Sequence, residues 1–197
     1  MSNNMSPILR QLYWPEKEAL RAHLLRLGPE ERRGRFAWAA NDAFINRYID
    51  NLEWTLSTYR AIGAFVDGEL RGVAECRISR NDWRWDAELA FSVESAYQRQ
   101  GIGSELFRRM VAMARNRGLN KISIMTESHN KAMHALARRN GMRLIAGPEV
   151  EGHMELEGPT PLSVAEEMIG ESTAWWYTGL SFLSQQLSDP KEETAEA

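Results

Sequence analysis

The sequence predicts an α/β fold in which helices cover the faces of a mixed sheet. The segment "YRAIGAFVDGELRGVAECRISR" contains two strand-like runs around Asp67-Gly68, a dipeptide typical of tight hairpins. Later in the chain a strand, a helix and a second strand follow one another, which is the order of a parallel crossover. Hairpin strands and a crossover together require antiparallel and parallel neighbours in one sheet.

The N-terminal part is predicted to be mainly helical. A short strand in "PILRQL" precedes a helix from about Pro15 to Arg26, where apolar residues recur at helical spacing. Gly28-Pro29 interrupts this pattern, and "PEERRGRFAWA" begins a second helix with proline in a favoured first-turn position. A third helix is predicted from about Asp42 to Trp54.

The stretch "WDAELAFSVES" is predicted to be a strand because its side chains alternate between two faces. One face carries Glu88, Ala90 and Ser92, and the other carries Leu89, Phe91 and Val93. The chain then continues through a helix that ends near Gly118, the strand "NKISIMTES" and the helix "NKAMHALARRNG". A final pair of strands is predicted in "MRLIAG" and "EGHMELE".

We expect three segments along the 197 residues. Residues 1–160 form a single domain, 161–187 form a C-terminal helix, and 188–197 form an acidic tail that is predicted to be disordered. The C-terminal helix contains "TAWWYTGLSFL", an aromatic patch that would promote aggregation if it were exposed. We therefore expect this patch to pack on its own sheet or in a homodimer interface.

Composition argues against several classes of function. A formal net charge of -3 and a pI near 5.9 argue against nucleic acid as a partner. No apolar run approaches the ~18 residues of a membrane span, and the N-terminus lacks the apolar core of a signal peptide. A cytoplasmic protein without membrane attachment is therefore expected. The one cysteine, Cys76, is expected to be a buried thiol, and the histidine spacing predicts no metal site.

Two glycines precede a helix in "YQRQGIGSELFRRM". A tight turn would explain them, but so would an anion bound at the start of the helix, where unpaired N–H groups and the helix dipole attract negative charge. The P-loop and dinucleotide-binding patterns are both absent. On the glycines alone both interpretations remain open. Their position at a helix start favours a phosphate cradle made by the amides of Gln100 through Ser104, because glycine lets a phosphate approach the backbone closely.

The residues around these glycines resemble the GNAT superfamily of N-acetyltransferases. The segment from Gln98 to Gly103 matches the Q/R-x-x-G-x-G/A signature of that family, and "AELAFSV" precedes it as a strand. A second matching segment, N-x-x-A-x-x-L-x-x-x-x-G-F in the family, is represented here by Asn130, Met133, Leu136 and Gly141-Met142. The likeness covers about Tyr59 to Glu157. It implies a mixed, mostly antiparallel central sheet of about six to seven strands with helices on both faces, to which the C-terminal helix predicted from residues 161–187 is added.

The resemblance also implies that acetyl-CoA is a co-substrate and lies where the strands "AELAFSV" and "KISIMTE" separate. Backbone groups of the first strand would pair with the pantetheine arm, the glycine loop would hold the pyrophosphate, and the asparagine would contact the cofactor from the other side. The residues assigned to cofactor binding on this basis are Phe91, Ser92, Val93, Gln98, Arg99, Gln100, Gly101, Ile102, Gly103, Ser104 and Asn130.

Acetyl transfer to an amine needs a base, because a lysine amine with a pKa near ~10.4 is almost wholly protonated at neutral pH. Glu88 is predicted to be this base, since the histone-modifying branch of the family carries its base in a closely similar "AE" strand segment. The donor to the developing oxyanion would be a backbone N–H near Ser92 or Val93.

One position departs from the family pattern. Many members have a tyrosine seven residues after the helix asparagine, and this chain has Ala137 there. Protonation of the departing thiolate would then fall to water, or to Tyr97 or His134. The same departure supports an alternative function, that of a non-catalytic acetyl-CoA-binding sensor or regulatory subunit.

The acceptor is expected to be a primary amine, on either a protein lysine or a small molecule. The segment "HLLRLGPEERRGRF" is similar to one in bacterial protein-lysine acetyltransferases. The matching residues are Leu24, Leu27, Pro29, Glu30, Arg33, Arg35 and Phe36.

Overall fold

The computed structural model describes residues 6–55, 57–81, 84–165 and 167–168. They contain a seven-stranded sheet in the order β1-β2-β3-β4-β5-β7-β6. The strands are β1 (Ile8–Leu12), β2 (Tyr59–Val66), β3 (Glu69–Asn81), β4 (Arg84–Val93), β5 (Lys121–Thr126), β6 (Arg143–Ile145) and β7 (Val150–Glu155). The main helices are α1 (Lys17–Arg26), α2 (Pro29–Phe36), α3 (Asp42–Asp50), α4 (Ile102–Asn116) and α5 (Lys131–Arg139). Only β4 and β5 are parallel neighbours, so the predicted mixed, mostly antiparallel sheet is confirmed.

Hydrophobic cores lie on both faces of the sheet. In β2, Ile62 and Ala64 belong to the core that α4 covers, whereas Tyr59 and Ala61 belong to the core that α1 and α3 cover. Alternate residues of a strand point to opposite faces, so the two cores are separated by the sheet. The same alternation in β4 buries Leu89 beneath α4 and leaves Glu88, on the other face, exposed.

The hairpin between β2 and β3 turns at the predicted dipeptide. Asp67 and Gly68 have φ angles of 52° and 77°. Positive φ at both central residues is the geometry of a type I′ turn, which matches the twist of the flanking strands.

The third helix, α3, is shorter than predicted. It ends at Asp50, with Asn51 as its C-cap, instead of reaching Trp54. Trp54 packs edge-on against Tyr59 at the start of β2, with ring centroids 4.9 Å apart. The segment after α3 therefore packs against the start of β2 instead of continuing the helix.

The last described segment packs at the end of α4. Residues 161–165 and 167–168 are helical. Ser163 donates a hydrogen bond to Asn116 at 2.6 Å, and Glu167 pairs with Arg117 at 2.7 Å. The aromatic patch and the acidic tail predicted from the sequence lie outside the described residues. Among the residues that are described, no helix has the length and apolar character needed to span a membrane.

Candidate active site

The sheet opens between β4 and β5. The two strands pair over Asp86 to Leu89 of β4 and no further. Beyond that point β4 continues to Val93 alongside β3, and β5 continues to Thr126 alongside β7. The two central strands therefore leave a gap in the sheet at their C-terminal ends.

Backbone groups of β4 point into this gap at alternate residues. The N–H of Glu94 donates to the carbonyl of Arg71 on β3 at 3.0 Å, whereas the carbonyl of Trp85 accepts a hydrogen bond at 2.7 Å from the segment leading into β5. These directions alternate along a strand that is paired antiparallel to its neighbour. Phe91 and Val93 therefore turn their N–H and C=O groups toward the gap.

Ser92 does not share that orientation. Its backbone faces β3, where it pairs with Val73. Its side chain is buried beneath α1, with the hydroxyl 2.9 Å from Nε2 of His23. The backbone contact with the cofactor that was predicted for Ser92 does not fit this geometry. For Phe91 and Val93 the same contact stays a prediction.

The loop after β4 is held in place by its own side chains. The amide groups of Gln98 and Gln100 donate to the carbonyls of Val93 and Ala96, at 2.9 and 3.0 Å. Arg99, between them, has a φ of 62°, which is uncommon for a residue other than glycine. The carbonyl of Val93 is thus occupied by the loop, while its N–H remains directed at the gap.

The start of α4 presents free backbone donors. Gly101 is the N-cap, has a φ of 85° and provides no side-chain cap. The first N–H groups of an α-helix have no acceptor within the helix, so those of Ile102, Gly103 and Ser104 are available at its positively polarised end. A Cβ built on Gly103 would meet only Leu136, at an ordinary 3.8 Å. Packing alone does not require glycine at this position.

Thr126 and Asn130 lie on the other side of the gap. The hydroxyl of Thr126 is buried and has no hydrogen-bond partner within the described residues. The side-chain oxygen of Asn130 accepts from the N–H of Met133 at 3.0 Å and caps α5. Its Nδ2 group lies close to α2, because a Cβ built on Gly34 would be 3.4 Å from it. Sequence patterns could not single out Thr126, since its missing partner is apparent only when the strands are in register.

Glu88 stands just before the gap opens. It pairs in register with Arg77 on β3 and with Ser123 on β5. Its side chain is exposed, and its carboxylate makes no hydrogen bond or ion pair within the described residues. This carboxylate is therefore available to a ligand that approaches the face of the sheet.

The residues considered for thiolate protonation differ in their surroundings. Nε2 of His134 lies 3.1 Å from the carbonyl of Glu127, and the ring of Tyr97 lies beneath the guanidinium of Arg71, 5.1 Å from ring centroid to carbon. Ala137 is buried in the core beside α4. The imidazole of His134 therefore contacts the backbone, whereas the contact of Tyr97 involves its ring and leaves its hydroxyl without a hydrogen bond among the described residues.

Comparison with known proteins identifies the family. The model of the acetyltransferase (GNAT) family matches residues 9–142. The chain belongs to the GNAT family. No curated protein sequence matches it at a significant level.

Solved GNAT structures share this fold. The GNAT domain of PAT from S. lividans superposes with a TM-score of 0.64 at 19% identity, covering 75% of this chain and 89% of that one. PaiA N-acetyltransferase from Thermoplasma acidophilum, in complex with coenzyme A, gives 0.57 at 20% identity, covering 77% and 100%. The ribosomal-protein-S18-alanine N-acetyltransferase from Escherichia coli gives 0.57 at 18% identity, covering 78% and 95%.

A buried polar cluster fixes the end of β4 in this GNAT fold. His23 of α1 is fully buried and contacts Ser92 at 2.9 Å and Glu94 at 3.1 Å. Glu94 also accepts hydrogen bonds from Arg26 and Arg71, at 2.9 and 3.0 Å. Burial alone would raise the pKa of Glu94, but these hydrogen bonds outweigh it and lower the pKa to about 2. The cluster ties α1 to the strand whose backbone faces the gap.

A second buried cluster holds α2 and α3 on the same face of the sheet. Arg35 donates to Oε2 of Glu75 at 2.5 and 2.9 Å, and the hydroxyls of Tyr48 and Tyr59 donate to Oε1 at 2.6 and 2.8 Å. Burial alone would raise the pKa of Glu75, but the charge of Arg35 and these hydrogen bonds lower it. Glu75 therefore stays ionised, directly across the strands from Ala90. Cys76, by contrast, is a buried thiol whose pKa burial raises to about 12, as expected of a structural cysteine.

Proposed function

We propose that this protein is an acetyl-CoA-dependent N-acetyltransferase that transfers an acetyl group to a primary amine, with Glu88 as the general base. The observation that carries the proposal is the gap between β4 and β5. It runs from the free amides at the start of α4 toward the exposed carboxylate of Glu88. Membership of the GNAT family supports acetyl transfer as the reaction.

The residues around the gap fit acetyl-CoA, which supplies an acetyl group activated as a thioester. The N–H groups from Arg99 to Ser104 would hold the pyrophosphate. The backbone of Phe91 and Val93 would pair with the pantetheine arm in the manner of an added strand. Asn130 and Thr126 would contact the arm from the opposite side, where the unpartnered hydroxyl of Thr126 would gain a hydrogen bond.

Transfer begins with removal of a proton from the amine. Glu88 accepts this proton, directly or through water, and the neutral nitrogen attacks the carbonyl carbon of the thioester. The N–H of Val93 donates to the carbonyl oxygen as negative charge develops on it. The new C–N bond forms while the C–S bond breaks, and sulfur leaves with the bonding electrons. The nitrogen then releases its second proton to water, which leaves a neutral amide. Sulfur takes a proton from water, because Ala137 offers no phenol.

A non-catalytic acetyl-CoA sensor or regulatory subunit is the second candidate. The observation that favours it is Ala137, whose buried methyl group stands where many family members have an acid. Such a protein would use the same gap and the same backbone donors to bind the ligand, but it would release no thiol.

A thiol-release assay tests the proposal. The protein is incubated with acetyl-CoA and a mixture of lysine peptides and small amines, and free coenzyme A is measured while mass spectrometry identifies acetylated products. We expect thiol release that depends on added amine. Binding of acetyl-CoA by calorimetry without any turnover would support the sensor instead, and failure to bind acetyl-CoA would contradict both candidates.

A further inference from the structure

Two opposite charges stand side by side near the gap without pairing. Arg77 and Glu88 are directly opposite each other on β3 and β4, and both are exposed. In a hydrogen-bonded antiparallel pair the Cα atoms are about 5.5 Å apart, close enough for such side chains to interact. Within the described residues, however, no ion pair joins them. Another contact must therefore keep the guanidinium of Arg77 away from the carboxylate of Glu88.

The arginine is held by a tyrosine. The guanidinium of Arg77 lies over the ring of Tyr48, 5.0 Å from its centroid. Tyr48 is fixed in turn, since its hydroxyl donates to Glu75 at 2.6 Å and accepts from Arg35 at 2.8 Å. An exposed cation is thus oriented by a buried network, and the neighbouring carboxylate of Glu88 is left open.

Resting on the proposed function, we infer that the acceptor is a free α-amino acid, whose ammonium faces Glu88 and whose carboxylate faces Arg77. An arginine oriented by Tyr48 beside an unpaired glutamate complements a small molecule whose ammonium and carboxylate are bonded to the same carbon. The planar guanidinium can hold a carboxylate through two parallel hydrogen bonds. The carboxylate would thereby position the amine beside the base and the open end of the gap.

The reaction balances as for any amine. The ammonium gives one proton to Glu88, its nitrogen forms a bond to the acetyl carbon, and the bond between that carbon and sulfur breaks. The nitrogen then releases a second proton to water and becomes the nitrogen of a neutral amide. The products are an N-acetyl amino acid and coenzyme A, whose thiolate takes a proton from water. The carboxylate of the amino acid, which is bound to Arg77, takes no part in the reaction.

Other amines lack this complementarity. A lysine side chain or a polyamine brings a positive charge without an adjacent anion, so it would face the guanidinium of Arg77 unfavourably. Arg77 would therefore select by repulsion as well as by attraction.

Matched acceptors test the inference. The protein is assayed with acetyl-CoA and each of the common amino acids, and in parallel with the amines that lack only the carboxylate. We expect amino acids to be acetylated with a kcat/KM at least about ten-fold higher than their decarboxylated counterparts, as the loss of a charged hydrogen bond implies. In Arg77→Gln, kcat/KM for amino acids should fall about 10- to 100-fold, and the preference should disappear. Arg77→Lys keeps the positive charge but cannot form two parallel hydrogen bonds to a carboxylate. Its kcat/KM for amino acids should therefore lie between those of the natural chain and of Arg77→Gln.

Arg84→Gln is the matched control. Arg84 lies on the same face of β4 as Glu88 but pairs with Glu155 at 2.9 Å. This variant should keep the preference for amino acids, and thermal unfolding should confirm that each variant is folded. If decarboxylated amines or lysine peptides are acetylated as well as amino acids, with Arg77→Gln unchanged, the inference is wrong and the proposed acetyl transfer stands. If no acceptor of any class is acetylated, the proposed function itself fails.

Discussion

Among single residues, Glu88 matters most, because the proposed base catalysis depends on its environment. The carboxylate is exposed and unpaired within the described chain, and the small side chains of Ala90 and Ser123 lie beside it on the same face. These neighbours leave room for an amine. A carboxylate in this position can attract the protonated amine and then accept its proton.

We predict that Glu88→Gln lowers kcat by about 10²- to 10⁴-fold, the usual contribution of general-base catalysis. Glutamine keeps the shape and the hydrogen bonding of glutamate but cannot accept the proton. Affinity for coenzyme A should be nearly unchanged, and the loss should be partly offset at high pH, where more amine is already neutral. Glu155→Gln, an exposed glutamate on β7, serves as the control. Near-normal kcat for Glu88→Gln under conditions where chemistry limits the rate would remove this residue from the mechanism.

The sequence predicted that Glu88 and Ser92 share a face of β4, but it did not predict that Ser92 is buried there. Strand alternation is a local property, and it places Glu88 on the exposed face as expected. The burial of Ser92 depends on His23, which is 69 residues away in the chain. No local pattern could identify that contact, because it exists only after α1 has packed on the sheet.

At the element scale, α1 acts as a clamp on the end of β4. His23 reaches Ser92 and Glu94, which flank the residue whose N–H is proposed to meet the thioester oxygen. The helix also contacts α3, where Arg21 pairs with Asp50 at 2.7 Å. Helix α1 therefore contacts β4 through His23 and contacts α3 through a different residue, Arg21.

Replacing His23 separates a positioning role from a merely structural one. His23→Leu removes both hydrogen bonds while filling the volume, so the strand end should shift and the dissociation constant for coenzyme A should rise about ten-fold, the order of one lost hydrogen bond. Arg21→Ala is the control, because it loosens α1 from α3 and leaves the clamp intact. Calorimetric titration of the folded proteins checks this. Equal affinities for the His23→Leu variant and the natural chain would show that the clamp does not position the cofactor site.

The same clamp predicts how stability changes with pH. The folded pKa of Glu94, about 2, is below its ordinary value of 4.5. A lowered folded pKa stabilises the fold above the ordinary value, and that stabilisation is lost as pH falls toward 2. The free energy of unfolding of the natural chain should therefore exceed that of Glu94→Gln at neutral pH, and the difference should shrink between about pH 4.5 and 2. Urea unfolding across this range measures it; a difference independent of pH would contradict the assignment.

Most elements could be predicted because their signals are local. Hydrophobic spacing, the Asp67-Gly68 turn and the glycine after α4 each act within a few residues, and the structure confirms the elements they delimit. The position of the gap was predicted from the family resemblance and not from local patterns. The register of β4 against β5 depends on residues far apart in the chain. The early end of α3 was missed because Trp54 packs against Tyr59 at the start of β2 instead of extending the helix.

At the scale of the whole molecule, the ion pair of Arg35 and Glu75 joins the helical layer to the sheet. Both side chains are buried, and Tyr48 and Tyr59 complete the hydrogen bonding of the carboxylate. Such a pair stabilises the fold little compared with apolar packing, but removal of one partner leaves a buried charge uncompensated.

Arg35→Leu should accordingly lower the free energy of unfolding by about 3–5 kcal/mol, measured by urea denaturation at neutral pH. Arg33→Ala is a suitable control, because Arg33 is an exposed residue of the same helix and has no partner within the described chain. Its substitution should change stability by no more than about 0.5 kcal/mol. A loss for Arg35→Leu as small as that would mean that Glu75 is neutral or solvated when its partner is removed.

Residue-resolved amide hydrogen exchange with and without coenzyme A tests directly whether the gap between β4 and β5 binds the acetyl donor. The N–H groups of Phe91 and Val93 face the gap, whereas those of Ala90 and Ser92 already pair with β3. Coenzyme A should therefore slow exchange at Phe91 and Val93 and at the start of α4, and leave Ala90 and Ser92 nearly unchanged. Exchange rates at Phe91, Val93 and the first turn of α4 that stay the same in saturating coenzyme A would contradict the account.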